Sequence, residues 1–469
     1  MSVIGRAGPG GRQDAAAETI AEAAPVSLLP LSGAQAGIWA DLTSAGVGPA
    51  GYNIADRIDL DGPLAPAALC TAIRLTDQAT EAVRLRFTTD ETGTPWQWLA
   101  EAPGRFDFAV VDLSDADAPD LLAQEAFEAL QARPFDTAQG PLCRHQLLRL
   151  APDRHRWIRC YHHLILDGQG GMILAGAVGR IYTALIRGEP VPDPDLPAFT
   201  DHLAREAAHA AGTGAGADAA WWRSRLAGLP AAAGFRPAAT ATARFDGRIA
   251  SVTRPLGAAR LEAMDRVARA HGLASRSSLA LALFLVLLGR VAGTDTPVCN
   301  TPLGNRMGRA ERRTPGEFAY TVPTGTRIDG TESLAGLARR LDAMTRRDLR
   351  HMRLAPMRWP EAGFIPDRPA SRGALFNAMD LPATYGFDGL QVRVADSIFG
   401  ELHDVMACLR TYGAADASDM QWSFPPARID RARVESLAAA FEAMLDAALA
   451  DPTQPVDHLP AGDLPSPVD

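Results

Sequence analysis

The sequence predicts an α/β protein built as two lobes of similar size. Three observations carry this. At 469 residues the chain exceeds what one hydrophobic core ordinarily serves. Strand-like alternation and helix-like periodicity take turns through the first half, and the same succession returns in the second. Between the halves lies Gly188-Glu189-Pro190-Val191-Pro192-Asp193-Pro194-Asp195, whose prolines stop a helix and mark a linker. The expected partition is 1–25 disordered, 26–196 a first lobe, 197–460 a second lobe and 461–469 a tail.

In order, Leu28-Leu29-Pro30-Leu31-Ser32 leads into a helix that Ser32 caps and that holds Gln35, Ile38 and Trp39. Tyr52 to Leu60 alternates as a strand and turns at Asp61-Gly62. Pro66 to Thr80 is an amphipathic helix; strands follow over Ala82 to Phe87, Pro95 to Leu99 and Phe106 to Asp112, then a helix from Asp117 to Arg133. Leu142 to Leu150 and Arg156 to His163 form a hairpin about Ala151-Pro152-Asp153-Arg154. Past the linker come a helix from Ala198 to Ala211, a flexible Gly212 to Gly216, and a helix carrying Trp221 and Trp222. Arg244 to Thr253 is a strand and Ala258 to Ala270 a helix. Ser278 to Val291, apolar on every side, is a buried helix. Strands over Pro297 to Pro302 and Ala319 to Arg327 flank a Gly304 to Arg309 loop. A helix from Leu334 to Arg350 precedes strands near Leu375 to Asp380, Leu390 to Val394, His403 to Leu409 and Gln421 to Phe424. Arg431 to Ala450 closes the series as a helix.

The totals exclude several kinds of chemistry. Net charge is −9 with no basic tract, so nucleic acid is not an expected partner. All 46 basic residues are arginine, which removes a P-loop, a pyridoxal Schiff base and any lysine nucleophile. The 5 cysteines are scattered, odd in number and without a CxxC, which fits a reducing compartment and offers no zinc knuckle. No metal site is expected. The opening residues lack an apolar segment of the signal-peptide kind, and Leu279 to Leu288 is too short to span a bilayer. A cytoplasmic protein with no membrane partner follows.

The chain is organised around Trp157-Ile158-Arg159-Cys160-Tyr161-His162-His163-Leu164-Ile165-Leu166-Asp167-Gly168. On a strand, Trp157, Arg159, Tyr161 and His163 share one face while Ile158, Cys160 and His162 share the other. One histidine therefore faces a cavity and the other the packing around it. Asp167 and Gly168 follow, Gly168 relaxing the backbone where it must bend or admit a ligand, and a helix runs from Met172 to Arg187 before stopping at Gly188. Hydrogen-bonded core histidines could account for either residue alone. The whole string His-His-x-x-x-Asp-Gly has a chance frequency on the order of one in a thousand for a chain this long.

That string resembles the signature of the condensation domains of nonribosomal peptide synthetases. Leu31-Ser32-Gly33-Ala34-Gln35-Ala36-Gly37-Ile38-Trp39 resembles the family's opening Ser-x-Ala-Gln block, and Trp221-Trp222-Arg223-Ser224-Arg225-Leu226 the segment after the crossover between lobes. Thr301-Pro302-Leu303-Gly304-Asn305-Arg306 resembles its Pro-x-x-Asn-Arg loop. Two segments depart from the pattern: Glu317-Phe318-Ala319-Tyr320-Thr321 stands where most members read Phe-Val-Asn-Thr, and the Arg-His-Glu that usually precedes Arg84-Leu85-Arg86-Phe87 is absent.

The resemblance implies two chloramphenicol-acetyltransferase-like lobes in a V-shaped pseudo-dimer, with the active site midway along a central tunnel. It implies acyl transfer from a carrier-tethered thioester to an amine or hydroxyl. Such domains usually sit inside megasynthases, but with no adenylation signature and no Gly-Gly-x-Ser carrier site in this sequence a free-standing, monomeric enzyme is expected. By the same resemblance no intrinsic cofactor is expected: the substrate would ride on the phosphopantetheine of a separate donor carrier protein, and the acceptor would be a small molecule or a second carrier's cargo. The family match makes His163 the expected catalytic residue. His162 packs, and Gly168 leaves room for the pantetheine arm. Asp167 is architectural and, as a buried carboxylate, needs a cation, for which Arg306 is the expected partner. Tyr161, Asn305 and Asn377 are candidates for the tunnel wall, Asn377 in a segment bridging the lobes. Trp39, Trp157, Trp221 and Trp222 are assigned to the core. Two other readings stay open: an acyl-CoA:alcohol acyltransferase of the wax-ester-synthase type, and a non-catalytic recruitment platform.

Overall fold

A computed structural model describes residues 27–43, 50–235, 248–353, 373–381, 385–399, 403–412, 418–460 and 464. The segments expected to be disordered at the N-terminus and to form a tail lie outside these, Leu464 excepted, as does the start of the strand expected from Arg244.

The first half runs β1 (Leu29–Pro30), α1 (Gly33–Leu42), β2 (Asn53–Asp61), α2 (Pro66–Ala79), α3 (Glu81–Arg84), β3 (Leu85–Thr89), β4 (Pro95–Leu99), β5 (Phe108–Asp112), α4 (Pro119–Ala132), β6 (Cys143–Ala151), β7 (Arg154–His162) and α5 (Gly168–Arg187). Then come α6 (Thr200–Ala210), α7 (Gly214–Leu226), β8 (Ala250–Pro255), α8 (Gly257–Ala270), α9 (Arg276–Ala292), β9 (Val298–Gly304), β10 (Ala319–Gly325) and α10 (Leu334–Arg350). The chain closes with β11 (Leu375–Leu381), β12 (Gln391–Phe399), β13 (Met406–Tyr412), β14 (Asp419–Phe424) and α11 (Arg431–Ala450). Two differences from expectation are local. Ala82 and Val83, expected in a strand, are buried in the short α3 instead, and α7 starts at Gly214, inside the stretch expected to be flexible.

The strands form three sheets: a small β1-β4-β3 sheet, a sheet ordered β12-β2-β7-β6-β5, and one ordered β10-β9-β11-β13-β14-β8. The second of these carries the histidine pair. Its central strand β7 is buried on both faces, and the alternation expected from sequence is observed. Ile158 and Cys160 pack with Ala123 and Phe127 of α4, whereas Trp157 packs with residues of α2 and α5. Arginines survive in this buried strand because β2 places a carboxylate opposite each. Asp56 faces Arg159 and Asp59 faces Arg156 in the register, at 2.7 Å in both pairs.

The sheet's edge crosses the expected partition. Strand β12, deep in the second half of the chain, pairs antiparallel with β2, Val394 opposite Ile58. The first sheet is thus completed by residues 391–399, and a division at 196/197 does not separate two self-contained sheets. Asn377 is not in that bridge. It lies on β11 beside Cys408 of β13, inside the other sheet. The second half's core is built around α9, whose Leu279, Leu283, Phe284 and Leu287 are fully buried against α8, α10 and α11. A helix apolar all round needs partners on all sides, and α9 has them.

Candidate active site

β7 ends at His162, and the next five residues turn into α5. His163 is held at that turn from two directions. Its backbone N–H donates to the carbonyl of Tyr52, just before β2, at 2.8 Å, and the two rings meet edge to face, centroids 6.3 Å apart. Tyr52 is itself tied through its hydroxyl to Asp41 of α1. The His163 side chain keeps 7% of its surface accessible, so the ring is buried but not sealed.

His162 turns the other way, against Phe135. Its Nδ1 accepts the Leu164 N–H at 3.1 Å, and burial, with His163 beside it, pushes its pKa down to about 3. A neutral imidazole accepting at Nδ1 suits a residue that shapes the turn. The Ser-x-Ala-Gln block buttresses the same turn. Ser32 caps α1 in a reciprocal capping box with Gln35, and the Gln35 amide donates to the Leu164 carbonyl at 2.9 Å.

Asp167 is the N-cap of α5 and joins the halves of the chain. Its Oδ1 accepts the Gly170 N–H at 2.7 Å and Arg306 Nη2 at 2.9 Å; its Oδ2 accepts Arg306 Nη1 and the Phe318 N–H, the latter at 3.2 Å. Four donors, a bidentate guanidinium and a helix N-terminus make this a place where only a carboxylate fits. The ion pair expected from sequence between Asp167 and Arg306 is present. Arg306 also lies over the Phe318 ring, 4.0 Å from its centroid. Gly168 is the first residue of α5 in ordinary helical geometry and is half-buried; the backbone freedom it was expected to supply is not used there. The close approach is instead at Gly171, where a Cβ would stand 2.5 Å from the Tyr161 hydroxyl.

Glu317 escaped the sequence reading. Its carboxylate is fully buried, accepts the Ala319 N–H at 2.7 Å through Oε1, and places Oε2 on Nδ1 of His163. Desolvation pushes this carboxyl up to about 7, against the pull of His163. The signal was available: an ionisable residue just before the mostly apolar Phe318-Ala319-Tyr320-Thr321-Val322, in a segment already noted for departing from the pattern.

With this arrangement in view, a comparison with known families gives one answer. A profile of the condensation domain matches residues 27–356. The chain belongs to the condensation-domain family. An isonitrile lipopeptide synthase of Streptomyces coeruleorubidus is 31% identical over 325 residues, 69% of this chain and 22% of that protein. Enterobactin synthase component F of Escherichia coli K12 is 29% identical over 330 residues, 69% of this chain and 25% of that one. The chain thus matches about a quarter of the length of these relatives. Among solved structures, a mutant starter condensation domain of rhizomide synthetase RzmA in complex with C8-CoA superposes with a TM-score of 0.81 at 22% identity, covering 92% of this chain and 98% of that one. The first condensation domain of the calcium-dependent antibiotic synthetase, with a substrate analogue, gives 0.80 at 25% identity, covering 93% and 99%. The fold is the chloramphenicol-acetyltransferase-like one. Family membership implies acyl-transfer, amide-forming activity, and condensation domains work with carrier proteins. Among the described residues, no helix is long and apolar enough to cross a membrane.

The remaining candidates take other places in this condensation domain. Tyr161 is in the core, its hydroxyl buried over Gly171, and burial holds its pKa well above the usual phenol range. Asn305 is buried at the end of β9, its backbone N–H on the Phe318 carbonyl at 2.9 Å and its amide 3.5 Å from Glu206 of α6. Asn377 is partly exposed and accepts the Ala378 N–H. Trp157 and Trp222 are core residues, Trp39 stacks on Phe87, and Trp221 stacks on His351.

Among the described residues, Asp77, Cys143 and His145 come close enough to share a metal ion. Their hydrogen bonds assign them differently. Trp157 Nε1 donates to His145 Nδ1 at 3.3 Å, so Nε2 carries the proton and donates to Asp77 at 3.2 Å. A metal on Nε2 would need the opposite tautomer. The Cys143 thiol, kept protonated by burial and by Asp77, donates to the same carboxylate at 3.7 Å. This is a closed hydrogen-bond cluster within the first lobe.

Proposed function

We propose that this chain joins an acyl or aminoacyl group, delivered as the phosphopantetheine thioester of a carrier protein, to an amine or hydroxyl acceptor, with His163 as the catalytic residue. One observation carries the reading. The imidazole of His163 is fixed at the end of β7 by backbone, ring and carboxylate contacts, inside the motif turn of a condensation domain.

In this scheme the acceptor's nitrogen or oxygen attacks the thioester carbonyl carbon. The acceptor proton passes to Nε2 of His163, the tetrahedral intermediate collapses with cleavage of the C–S bond, and the proton leaves with the thiol. An imidazole with an ordinary pKa near ~6.5 can accept a proton near neutrality. The need for it depends on the acceptor. An α-amino group has a pKa of about 7.7–8.0 and is partly neutral already, whereas a hydroxyl keeps its proton until a base takes it.

The experiment is a donor and acceptor panel, with acyl-carrier and acyl-CoA donors supplied separately and products read by mass spectrometry. Turnover is expected with the carrier thioester. His163→Ala should cut ester formation by about 100-fold or more and amide formation by less. Equal losses with paired amine and alcohol acceptors would count against the base role. Turnover of acyl-CoA with an alcohol, and none with the carrier thioester, would move the protein to the wax-ester-synthase type of reaction.

A further inference from the structure

The contact between Glu317 and His163 goes beyond what the motif string predicts. The carboxylate comes from two residues before β10 and the imidazole from the residue after β7, 154 residues apart in sequence. We infer that Glu317 is a positioning residue: it accepts a hydrogen bond from Nδ1–H of His163, fixes the tautomer whose Nε2 can take a proton, and stabilises the imidazolium that results. The inference rests on the reading of His163 as the proton acceptor.

The geometry allows little else. Oε1 of Glu317 is committed to the Ala319 N–H at 2.7 Å, which leaves Oε2 for the ring. An ionised carboxylate only accepts, so the shared proton must sit on Nδ1 whenever Glu317 is charged. With that proton in place, Nε2 is the basic nitrogen. When it takes a proton from the acceptor, the positive charge forms beside a carboxylate that water does not screen, an arrangement that favours the charged ring. Burial works against ionisation of Glu317 and pushes its carboxyl up to about 7, against the pull of His163.

The other charged or titratable groups around the pair do not take over this role. His162 is held neutral and faces Phe135. Asp167 is saturated by Arg306 and two backbone donors, and its charge opposes ionisation of Glu317. Tyr52 meets the ring edge to face, with its hydroxyl on Asp41. Glu317 is the group whose bond to Nδ1 is observed.

Glu317→Gln is a sharp test because the amide has the carboxylate's shape and a fixed polarity. The Ala319 N–H requires an oxygen, so the amide NH2 must face Nδ1. It then donates to Nδ1 and forces the proton onto Nε2, the tautomer that cannot act as a base. In 15N-histidine spectra of the whole chain, assigned with His163→Ala, the variant should show the Nε2–H tautomer of His163 where the native protein shows Nδ1–H. The acid limb of the pH–rate profile should move down by about one unit or more, since the charge that favoured the imidazolium is gone. Turnover should fall by at least about 100-fold, and Glu317→Asp should recover part of it. An unchanged tautomer and pH profile in a folded Glu317→Gln protein overturns the inference and leaves the base role of His163 standing. A flipped tautomer with unchanged turnover overturns both.

Discussion

At the scale of single residues, the two adjacent histidines show how one position on a strand separates opposite chemistries. His163 has a carboxylate on its ring and some access to the outside; His162, 1% exposed, has an aromatic wall and one backbone donor. The depressed pKa of His162 has a consequence for stability. The folded ring stays neutral down to about pH 3, while in the unfolded chain it takes up a proton near ~6.5. As pH falls through that window the unfolded state binds the extra proton, so folding stability declines. The contribution is about 2 kcal/mol between pH 7 and pH 5. His162→Asn, whose side-chain oxygen can replace Nδ1 as acceptor for Leu164, should flatten that part of the acid limb in urea unfolding measured at both pH values. An unaltered slope would mean that the ring is not the group being titrated.

At the scale of elements, the first turn of α5 is clamped to the loop after β9. Asp167 accepts from the Gly170 N–H of α5, from the Phe318 N–H just before β10 and from Arg306, and the Asp167 N–H returns to the Gly316 carbonyl at 3.1 Å. Further along, α5 packs so closely on the segment before β12 that a Cβ at Gly179 would lie 2.1 Å from the Tyr385 carbonyl. Arg306→Met should cost roughly 3–5 kcal/mol in urea unfolding, because it strands a buried carboxylate. Adding Asp167→Asn, which keeps an N-cap acceptor, should restore part of that loss. Losses that simply add would show the two side chains to be energetically independent. The choice of Arg306 as partner was legible in the sequence, since a buried aspartate requires a cation and the Pro-x-x-Asn-Arg loop supplies one. The choice of Glu317 as partner for His163 was not. Nothing in the spacing of Glu317 relates it to the histidines; what relates them is the path of β10 past the end of β7.

At the scale of the molecule, β12 binds the two halves by backbone hydrogen bonding. It leaves the second half, pairs with β2 along its whole length, and adds the Arg393–Asp59 ion pair at 2.7 Å between residues 334 apart. Residues 27–199 expressed alone would carry β2 with its ladder unpaired on one side, and open strands of this kind recruit other chains. That fragment should associate or unfold without a cooperative transition, as read by size-exclusion chromatography and urea titration. A monomer with a sharp two-state transition would show that the crossing strand is dispensable.

The sequence alone determined the succession of strands and helices, the alternation of side chains along β7, the cap at Ser32, the motif turn and the need of Asp167 for a cation. Each of these follows from periodicity over a few residues or from the cost of burying one charge. Only the tertiary structure decided that the first sheet ends on β12, that Asn377 lies away from that crossing, and that a carboxylate from the second half rests on His163. The first and last of those join residues more than a hundred positions apart, and a local pattern carries no information about which distant segment will arrive to meet it.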